Sequence, residues 1–249
     1  MNEINIISSD ARYNALCNIL KEKGYDSRIC EPSTDCKGDI IILPIKSALT
    51  EEEFKQIFQG VKKSALVFSG EVNKIRKYFD GEIIDYSRDE RFVDKNAYIT
   101  AECIIAIALS DSKKTLSDSM IGIIGYGRIG RHLTRILVGL GTSVTVFARR
   151  EESRREALMN GAVSCEINTL EKAQFDIIIN TVPKKIITKE QSEKIGKNTL
   201  VYDIASLPGG FEDESFPQRA LALPGKMMPT SAGKAIYDFV EKYISNERS

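Results

Sequence analysis

The glycine-rich segment Met120-Ile-Gly-Ile-Ile-Gly-Tyr-Gly-Arg-Ile-Gly130 constrains the fold more than any other stretch of the chain. An apolar run leads into three spaced glycines, and an amphipathic stretch follows. In a nucleotide-binding strand-turn-helix, the first glycine permits a tight turn, the second admits a pyrophosphate and the third lets the helix pack on the strand. The helix then directs its free N–H groups at the phosphates. The spacing predicts a dinucleotide-binding loop that consists of Gly125, Tyr126, Gly127, Arg128, Ile129 and Gly130.

The end of the next predicted strand indicates which nicotinamide cofactor binds. Ser143-Val-Thr-Val-Phe147 is followed by Ala148-Arg149-Arg150, where NAD-binding proteins usually have an acid that accepts from the ribose 2′-hydroxyl. Two guanidinium groups can instead hold a 2′-phosphate by charge-assisted hydrogen bonds. We therefore expect this tripeptide to bind NADP(H) in preference to NAD(H). The alternative is a solvated basic helix start that continues to Arg154 and Arg155.

The charge balance excludes some classes of partner. The chain of 249 residues carries 35 Lys plus Arg and 35 Asp plus Glu, so no net field attracts nucleic acid or an anionic membrane. Its apolar stretches are too short to span a membrane and its start lacks a basic leader, so we expect a cytoplasmic protein with a small-molecule partner.

Five cysteines without a C-x-x-C pair suit reduced thiols rather than disulfides or a metal site: Cys17, Cys30, Cys36, Cys103 and Cys165.

Short β-rich runs alternate with helical periodicity, which is typical of parallel α/β structure. We predict strands near Ile4–Ile7, Ser27–Cys30, Ile40–Leu43, Ala65–Phe68, Glu82–Ile84, Ile121–Ile124, Ser143–Phe147, Asp176–Asn180 and Leu200–Asp203. The predicted fold class is α/β with two lobes, a flavodoxin-like N-terminal lobe and a Rossmann-like NAD(P)-binding lobe. The expected divisions are an N-terminal lobe at 1–95, an interlobe helix and linker at 96–117, the Rossmann domain at 118–230, and a helix at 231–247 that packs back on the first lobe.

Several segments carry helix-specific patterns. Thr50 with Glu53, and Thr188 with Gln191, have the spacing of capping boxes. Residues 97–109 are apolar almost all round, which predicts a helix buried on several sides, as expected where it passes between the lobes. The last helix has one apolar face, made of Ala232, Ala235, Ile236, Phe239, Val240, Tyr243 and Ile244.

Ligands of open α/β sheets bind beyond the carboxyl ends of the strands, and unusual loops follow several strands here. Asn180-Thr181-Val182-Pro183 is expected over the nicotinamide, where small and apolar groups can line the ring. Arg12 is placed to reach a substrate carboxylate, unless Asp10 before it only caps the first helix. The further substrate-binding candidates are Ser69, Lys226, Thr230 and Ser231, of which Lys226 follows Pro224-Gly225 in a predicted loop and is otherwise a solvated lysine. Each loop taken alone also fits ordinary turn chemistry.

The single histidine, His132, follows the glycine loop by two residues and is therefore a poor catalytic base. A dehydrogenase of 2-hydroxyacids needs a group that manages the alcohol proton, and histidine is the usual choice. Glu102, in the predicted interlobe helix, is the remaining acid/base candidate, with Ser206 as a second catalytic candidate. The simpler alternative is that a buried Glu102 only bonds to neighbouring backbone.

Several of these segments, in order along the chain, resemble the A-subunit family of dipicolinate synthase. They are Asp10-Ala-Arg12, Leu43-Pro44, Phe68-Ser-Gly70, Asn96 with Thr100 and Glu102, Gly125–Gly130, Asn180–Pro183, Asp203–Gly210, Leu223-Pro-Gly225 and Thr230-Ser-Ala-Gly233. The resemblance extends over nearly the whole chain. Asp203–Gly210 and Leu223–Gly233 are its most specific parts, because the glycine loop is common to many dehydrogenases.

The resemblance implies an NAD(P)-dependent oxidoreductase of the lysine-pathway branch that makes pyridine-2,6-dicarboxylate during sporulation. A dihydro- or hydroxytetrahydrodipicolinate precursor would be aromatised, with hydride leaving to the nicotinamide and a base taking a ring proton. Asn96 and Thr100 join the substrate-binding candidates on this ground. The flavoprotein-like B-subunit of dipicolinate synthase is the implied partner, the cytoplasm of the mother cell the implied location, and we expect a homo-oligomer.

Two alternatives remain open from the sequence. The glycine loop and Thr100-Ala-Glu102 also resemble D-2-hydroxyacid dehydrogenases, although the catalytic histidine is missing. A non-catalytic NADP(H)-binding regulatory protein would retain the same cofactor loop. Substrate-dependent NADPH formation distinguishes an enzyme from such a regulator.

Overall fold

The computed structural model describes residues 3–8, 10–32, 37–46, 49–172 and 174–245, with the side chains of 171 and 172 left out. Cys36 and the last two residues of the predicted C-terminal helix lie outside the described residues. The chain forms two compact units, Met1–Asn96 with Pro224–Ser249, and Ala97–Leu223.

The strands and helices are numbered in chain order. The described residues contain the strands Glu3–Ile7 (β1), Asp26–Cys30 (β2), Ile40–Ile42 (β3), Leu66–Ser69 (β4), Glu82–Asp85 (β5), Met120–Ile124 (β6), Ser143–Phe147 (β7), Val163–Cys165 (β8), Ile177–Asn180 (β9), Leu200–Asp203 (β10) and Gln218–Arg219 (β11). Their α-helices are Ala11–Glu22 (α1), Glu51–Phe58 (α2), Val72–Ile75 (α3), Glu90–Asp111 (α4), Arg128–Gly139 (α5), Glu151–Met159 (α6), Lys189–Glu193 (α7), Leu223–Met227 (α8) and Pro229–Ile244 (α9).

The first unit is built on a five-stranded parallel sheet in the order β2-β1-β3-β4-β5. This is the flavodoxin-like order, whose switch point lies between β1 and β3. The middle strands are almost wholly apolar, and Ile6, Ile41 and Val67 are fully buried. The predicted flavodoxin-like lobe is therefore confirmed, with strand bounds that differ from the expected ones by a residue or so.

Helix α9 packs against the first unit, as its apolar face predicts. All residues predicted on that face are buried except Tyr243, which is 38% exposed. The ring of Phe239 contacts those of Phe68 and Tyr86, at centroid distances of 6.0 and 5.3 Å. A Cβ at Gly233 would lie 2.6 Å from the carbonyl oxygen of Arg12, so the backbones of α9 and α1 approach closely.

The second unit has a six-stranded parallel sheet in the order β11-β10-β9-β6-β7-β8. This is the doubly wound nucleotide-binding order, in which β6 and β9 are the central neighbours. The predicted Rossmann-like fold is confirmed. The sequence prediction missed the edge strands β8 and β11, because three and two residues are too few to show a period of two.

Two helices differ from the sequence prediction. Helix α4 begins well before residue 97, since the Asp89 carboxylate accepts a hydrogen bond from the Phe92 N–H (2.7 Å) and the polar first turns conceal the helix from an apolar pattern. Lys226 lies in the short helix α8 rather than in a loop. Gly225, which suggested the loop, is required instead for contact: a Cβ there would lie 2.3 Å from a carboxylate oxygen of Asp10. Both predicted capping boxes are present.

Candidate functional site

The glycine loop between β6 and α5 contains two glycines that hold the turn together. Gly125 has φ +97°, and a Cβ there would lie 2.5 Å from the Thr181 hydroxyl. A Cβ at Gly130 would lie 2.2 Å from the carbonyl oxygen of Gly125. A larger residue at Gly130 would push α5 away from the strand, and one at Gly125 would clash with Thr181 and Val182 in the loop after β9. These glycines have the turn and packing roles that the spacing predicts.

Gly127 differs, because a Cβ placed on it would meet no atom within 4 Å. It is the N-cap of α5 and caps nothing with a side chain. The first-turn N–H groups of any α-helix find no acceptor inside the helix itself, and they carry the positive end of the helix dipole. Open space directly above such a terminus fits a pyrophosphate. The loop therefore passes the structural test for a dinucleotide.

The Tyr126 side chain is buried against the helices and does not line this space. Its hydroxyl accepts a hydrogen bond from Asn160 (3.1 Å), and the Arg131 guanidinium lies 5.4 Å from its ring centre. Arg131 in turn donates from Nε and Nη2 to the Glu156 carboxylate at 2.8–3.1 Å. Those bonds hold the pKa of Glu156 below its ordinary value. Tyr126 thus anchors the loop to α5 and α6, and only its backbone is left to contact a cofactor.

The turn after β7 presents two arginines to solvent. Arg149 and Arg150 are exposed, and across the described ranges neither side chain has a hydrogen bond or ion pair. The guanidinium of Arg154 donates to the carbonyl oxygens of Ala148 and Arg149, at 2.9 and 2.8 Å. Arg155 pairs with Glu151 at 2.6 Å. The four arginines therefore separate into two that are committed to the protein and two that are available to an anion.

Asn180 does not have a free side chain at the predicted nicotinamide side. Its amide donates to the Val182 carbonyl oxygen (3.1 Å) and to Asp203 (2.8 Å), and its oxygen accepts from the Val182 N–H (3.1 Å). Thr181 donates to the carbonyl oxygen of Ile124 (3.0 Å). These bonds shape the loop, so Asn180 and Thr181 are structural at their side chains. The half-buried Val182 and the exposed Pro183 remain to face a ring.

The catalytic candidates lie in different surroundings of the second unit. Glu102 is half-buried in α4, and its carboxylate makes no hydrogen bond or ion pair within the part of the chain that is described. Ser206 is exposed in the loop after β10. Thr100 is buried, and two helical residues turn the direction of a side chain by about 200°. Thr100 and Glu102 therefore lie on different faces of α4.

Arg12 has less freedom than the sequence suggested. Its Nε and Nη2 both bind the Asp10 carboxylate at 3.0 Å, while Asp10 also caps α1 by accepting from the Arg12 N–H. Gly225 packs directly over this ion pair. Only Nη1 remains, and it has no partner among the residues that the structure describes. The pair lies after β1, beside the switch point of the first sheet, where ligands of this fold bind.

The other substrate-binding candidates of the first unit differ in burial and in hydrogen bonding. Ser69 is buried, and its hydroxyl oxygen accepts from the Glu71 N–H (3.0 Å), which leaves its proton free to be donated. Asn96 is half-buried in α4. Lys226 is exposed in α8, and Thr230 and Ser231 are exposed in the first turn of α9.

His132 packs edge-on against the Tyr98 ring, with 5.4 Å between centroids. Among the described residues, no group of three or more His, Cys, Asp or Glu side chains is arranged to hold a metal ion. None of the described helices is long and apolar enough to cross a membrane.

Sequence reasoning missed Arg219 on β11. Its guanidinium binds the buried Asp203 carboxylate and donates to the Ala205 carbonyl oxygen (3.1 Å). No local pattern marks a lone arginine after Pro217-Gln218, so only the pairing of β11 with β10 reveals it.

Comparison with known proteins agrees with this geometry. Residues 81–203 match the family described as D-isomer specific 2-hydroxyacid dehydrogenase, NAD binding domain. The dipicolinate synthase A-subunit of Bacillus subtilis (strain 168) is 25% identical over 231 residues, covering 83% of this chain and 78% of that protein. Crystal structures of the dipicolinate synthase A-subunits from Bacillus halodurans and Bacillus subtilis have TM-scores of 0.80 and 0.79, at 23% and 22% identity. These alignments cover 96% and 99% of this chain, and 96% of each neighbour.

The resemblance predicted from the sequence is thereby confirmed. The chain is similar to the dipicolinate synthase A-subunit along most of its length, and its second unit carries a Rossmann-type NAD-binding domain. The match to an NAD-binding domain of dehydrogenases supports a nicotinamide dinucleotide as the cofactor and an oxidoreductase kind of protein. The alternative of a D-2-hydroxyacid dehydrogenase is not favoured, because the similarity to the dipicolinate synthase A-subunit of Bacillus subtilis extends over 83% of this chain.

Proposed function

We propose that this protein, which is similar to the dipicolinate synthase A-subunit, is an NADP(H)-dependent oxidoreductase that forms pyridine-2,6-dicarboxylate. The precursor is a dihydro- or hydroxytetrahydrodipicolinate. The observation that supports the proposal most directly is the open space over Gly127 at the uncapped start of α5. The sequence similarity to the dipicolinate synthase A-subunit supports the choice of substrate.

The preference for NADP(H) is supported by the turn after β7. Arg149 and Arg150 are exposed and without partners in the described ranges, whereas Arg154 holds the carbonyl oxygens of the turn. A 2′-phosphate between two guanidinium groups gains charge-assisted hydrogen bonds that a ribose hydroxyl cannot provide. No acid stands at this turn to accept from a 2′-hydroxyl.

Aromatisation of the dihydro precursor requires the removal of a hydride and a proton from the ring, and the hydroxytetrahydro precursor must also lose a water. The nicotinamide, when bound, accepts the hydride. Glu102 is the group that we propose takes the ring proton, since its half-buried carboxylate has no competing partner within the described residues. Ser206 is the second candidate and donates a hydrogen bond from its hydroxyl. No alkoxide forms in this reaction, so no histidine is needed.

Two carboxylates of the substrate need donors. Arg12 offers Nη1, and Ser69 offers its hydroxyl proton. The remaining proposed donors are Asn96, Thr100, Lys226, Thr230 and Ser231. In this proposal Val182 and Pro183 line the nicotinamide with apolar groups.

The similar proteins are named as one lettered subunit of a synthase, so we also propose that a B-subunit partners this protein. We propose further that the protein forms a homo-oligomer and acts in the lysine-pathway branch during sporulation. Its proposed location is the cytoplasm of the mother cell.

Calorimetric titration with NADPH and NADH tests the cofactor. Arg149→Glu is expected to weaken NADPH binding by about 10- to 100-fold, the loss of one charge-assisted contact or more, and to change NADH binding little. Arg155→Glu is the matched control, because it makes the same charge change on α6 in a residue that pairs with Glu151. Equal losses for both nucleotides in Arg149→Glu would contradict the 2′-phosphate role.

A coupled assay tests the reaction. The purified protein is supplied with the dihydrodipicolinate synthase product and NADP⁺, with and without a B-subunit. NADPH and dipicolinate are expected to appear in equal amounts, and Glu102→Gln is expected to reduce the rate while NADPH binding is unchanged. Tight NADPH binding with no dipicolinate formed under either condition would refute the catalytic proposal.

A further inference from the structure

We propose that Arg219 is a positioning residue that fixes the two loops of the nicotinamide half of the dinucleotide site. The inference rests on the proposed function, and it extends the site to an edge strand to which no role has been assigned. Arg219 lies on β11, beside β10, while Asp203 ends β10 and Asn180 ends β9. The three side chains therefore meet across three adjacent strand ends.

Asp203 is the centre of this arrangement. It is 1% exposed, and both of its oxygens are fully bonded. Oδ1 accepts from the Asn180 amide (2.8 Å) and the Ala205 N–H (3.1 Å). Oδ2 accepts from the Gly210 N–H (2.9 Å) and from Arg219. A carboxylate buried to this degree needs a cation, and Arg219 supplies it.

The loop after β10 is wrapped around the same side chains. A Cβ at Gly209 would lie 2.0 Å from Nη1 of Arg219, and one at Gly210 would lie 2.3 Å from the Asn180 amide nitrogen. The second nitrogen of Arg219 binds the Ala205 carbonyl oxygen, so the guanidinium contacts both ends of the loop. Glycine is required at both positions because backbone, not side chain, lies against the ionic group.

The loop after β9 is attached to this assembly. The Ile186 and Ile187 N–H groups donate to the Gly210 carbonyl oxygen, at 2.9 and 3.0 Å, and Lys185 donates to that of Phe211 (2.6 Å). Asn180 fixes Val182 from the other side. Arg219 thus acts on Val182 and Pro183 through Asp203 and Asn180, without itself facing the ring.

The geometry separates the two halves of the cofactor. In a doubly wound sheet one half of the dinucleotide lies over β6, β7 and β8, and the nicotinamide half lies over β9, β10 and β11. Gly127 and Arg149 belong to the first half and Arg219 to the second. Loss of Arg219 should therefore weaken binding of the whole cofactor and leave binding of its adenosine bisphosphate fragment intact.

The experiment compares Arg219→Met, Arg219→Lys and wild type in titrations with NADPH and with 2′,5′-ADP, which lacks the nicotinamide half. Gln218→Met is the matched control, since it places the same side chain on the same short strand at an exposed position. Arg219→Met is expected to weaken NADPH binding about tenfold or more, with 2′,5′-ADP unchanged. Arg219→Lys is expected to recover part of the loss, because an ammonium can replace the bond to Asp203 but not the two-pronged contact.

Amide hydrogen exchange provides a readout without nucleotide. The Ala205 and Gly210 N–H groups, which donate to Asp203, are expected to exchange faster in Arg219→Met, while Gly125 N–H, bonded to Phe147, is unchanged. Unchanged exchange, or parallel loss of NADPH and 2′,5′-ADP binding, would overturn the positioning role. Failure of wild type to bind either nucleotide would refute the proposed function instead, and the exchange result would still decide the role of Arg219.

Discussion

Gly127→Ala separates the cofactor role of the glycine loop from its structural role. Gly127 has φ −81° and ψ −163°, an extended conformation that alanine adopts readily, and its added Cβ would meet nothing within 4 Å. The variant should therefore fold as wild type does, with a change in stability of less than about 1 kcal/mol, because the less flexible unfolded chain offsets the poorer N-cap preference of alanine. Gly130→Ala should instead lose about 1 to 3 kcal/mol, because its Cβ would lie 2.2 Å from the Gly125 carbonyl oxygen.

The binding effect of Gly127→Ala follows from the same geometry. A phosphate that accepts from helix N–H groups must approach the backbone to roughly 3 Å, and a methyl group at Gly127 occupies that approach. Loss of one charge-assisted hydrogen bond costs about 1.5 to 3 kcal/mol, so NADPH binding should weaken by about 10- to 100-fold.

The assay is calorimetric titration with NADPH alongside thermal unfolding without ligand. Gly139→Ala, at the other end of α5, is the control, because its Cβ also meets nothing within 4 Å and no phosphate is expected there. It lies within the helix, so it should gain about 0.5 to 1 kcal/mol of stability and bind NADPH as wild type does. Wild-type affinity in Gly127→Ala would refute the placement of the pyrophosphate over this residue.

Two further predictions concern stability. Glu156→Gln should lower the free energy of unfolding by up to about 1 kcal/mol at neutral pH, the upper range for a partly exposed ion pair. Arg131 lowers the folded-state pKa of Glu156. The stabilisation from this pair is therefore present above the unfolded-state pKa and is lost as the pH falls through the folded-state pKa. The melting curves of variant and wild type should accordingly converge in acid. A gap that persists at low pH would contradict the pairing. Gly233→Ala should lower the free energy of unfolding, measured with denaturant, by about 1 to 3 kcal/mol, because the added Cβ forces α9 away from α1. Lys234→Ala, at an exposed position of the same helix, should lower it far less. Equal effects of the two substitutions would argue against the close contact of α9 with α1.

Much of the fold was predictable because most strands of both sheets are visible in the sequence as short apolar runs. Ile40–Ile42 and Ile177–Asn180 are buried on both faces, so they are short continuous apolar runs between turns. The glycine loop was predictable for a related reason, since a tight turn and a close helix approach each admit only glycine. The resemblance to the dipicolinate synthase A-subunit family rested on the order of several segments along the chain, because no single segment identifies the family.

The candidate site was predictable only in part, because the tertiary structure decides whether a side chain is free to bind a ligand or is already bonded to other protein groups. The sequence places Arg149, Arg150, Arg154 and Arg155 within one basic run, and only the fold shows that the last two are committed to protein oxygens. Asn180 stands in the expected loop, yet Asp203 and Val182 occupy its amide. Thr100 and Glu102 are neighbours in sequence, yet helical geometry separates their directions by about 200°.

What the sequence determined by itself is the set of features that depend on near neighbours along the chain: the parallel α/β class, the phosphate-binding turn, the capping boxes and the apolar face of α9. What only the tertiary structure decided is the meeting of residues that are distant in sequence. Arg219 finds Asp203 sixteen positions away, and Asn180 finds it twenty-three positions away, because β9, β10 and β11 lie side by side. A buried carboxylate and its cation are paired by the sheet, and no local pattern can record that pairing.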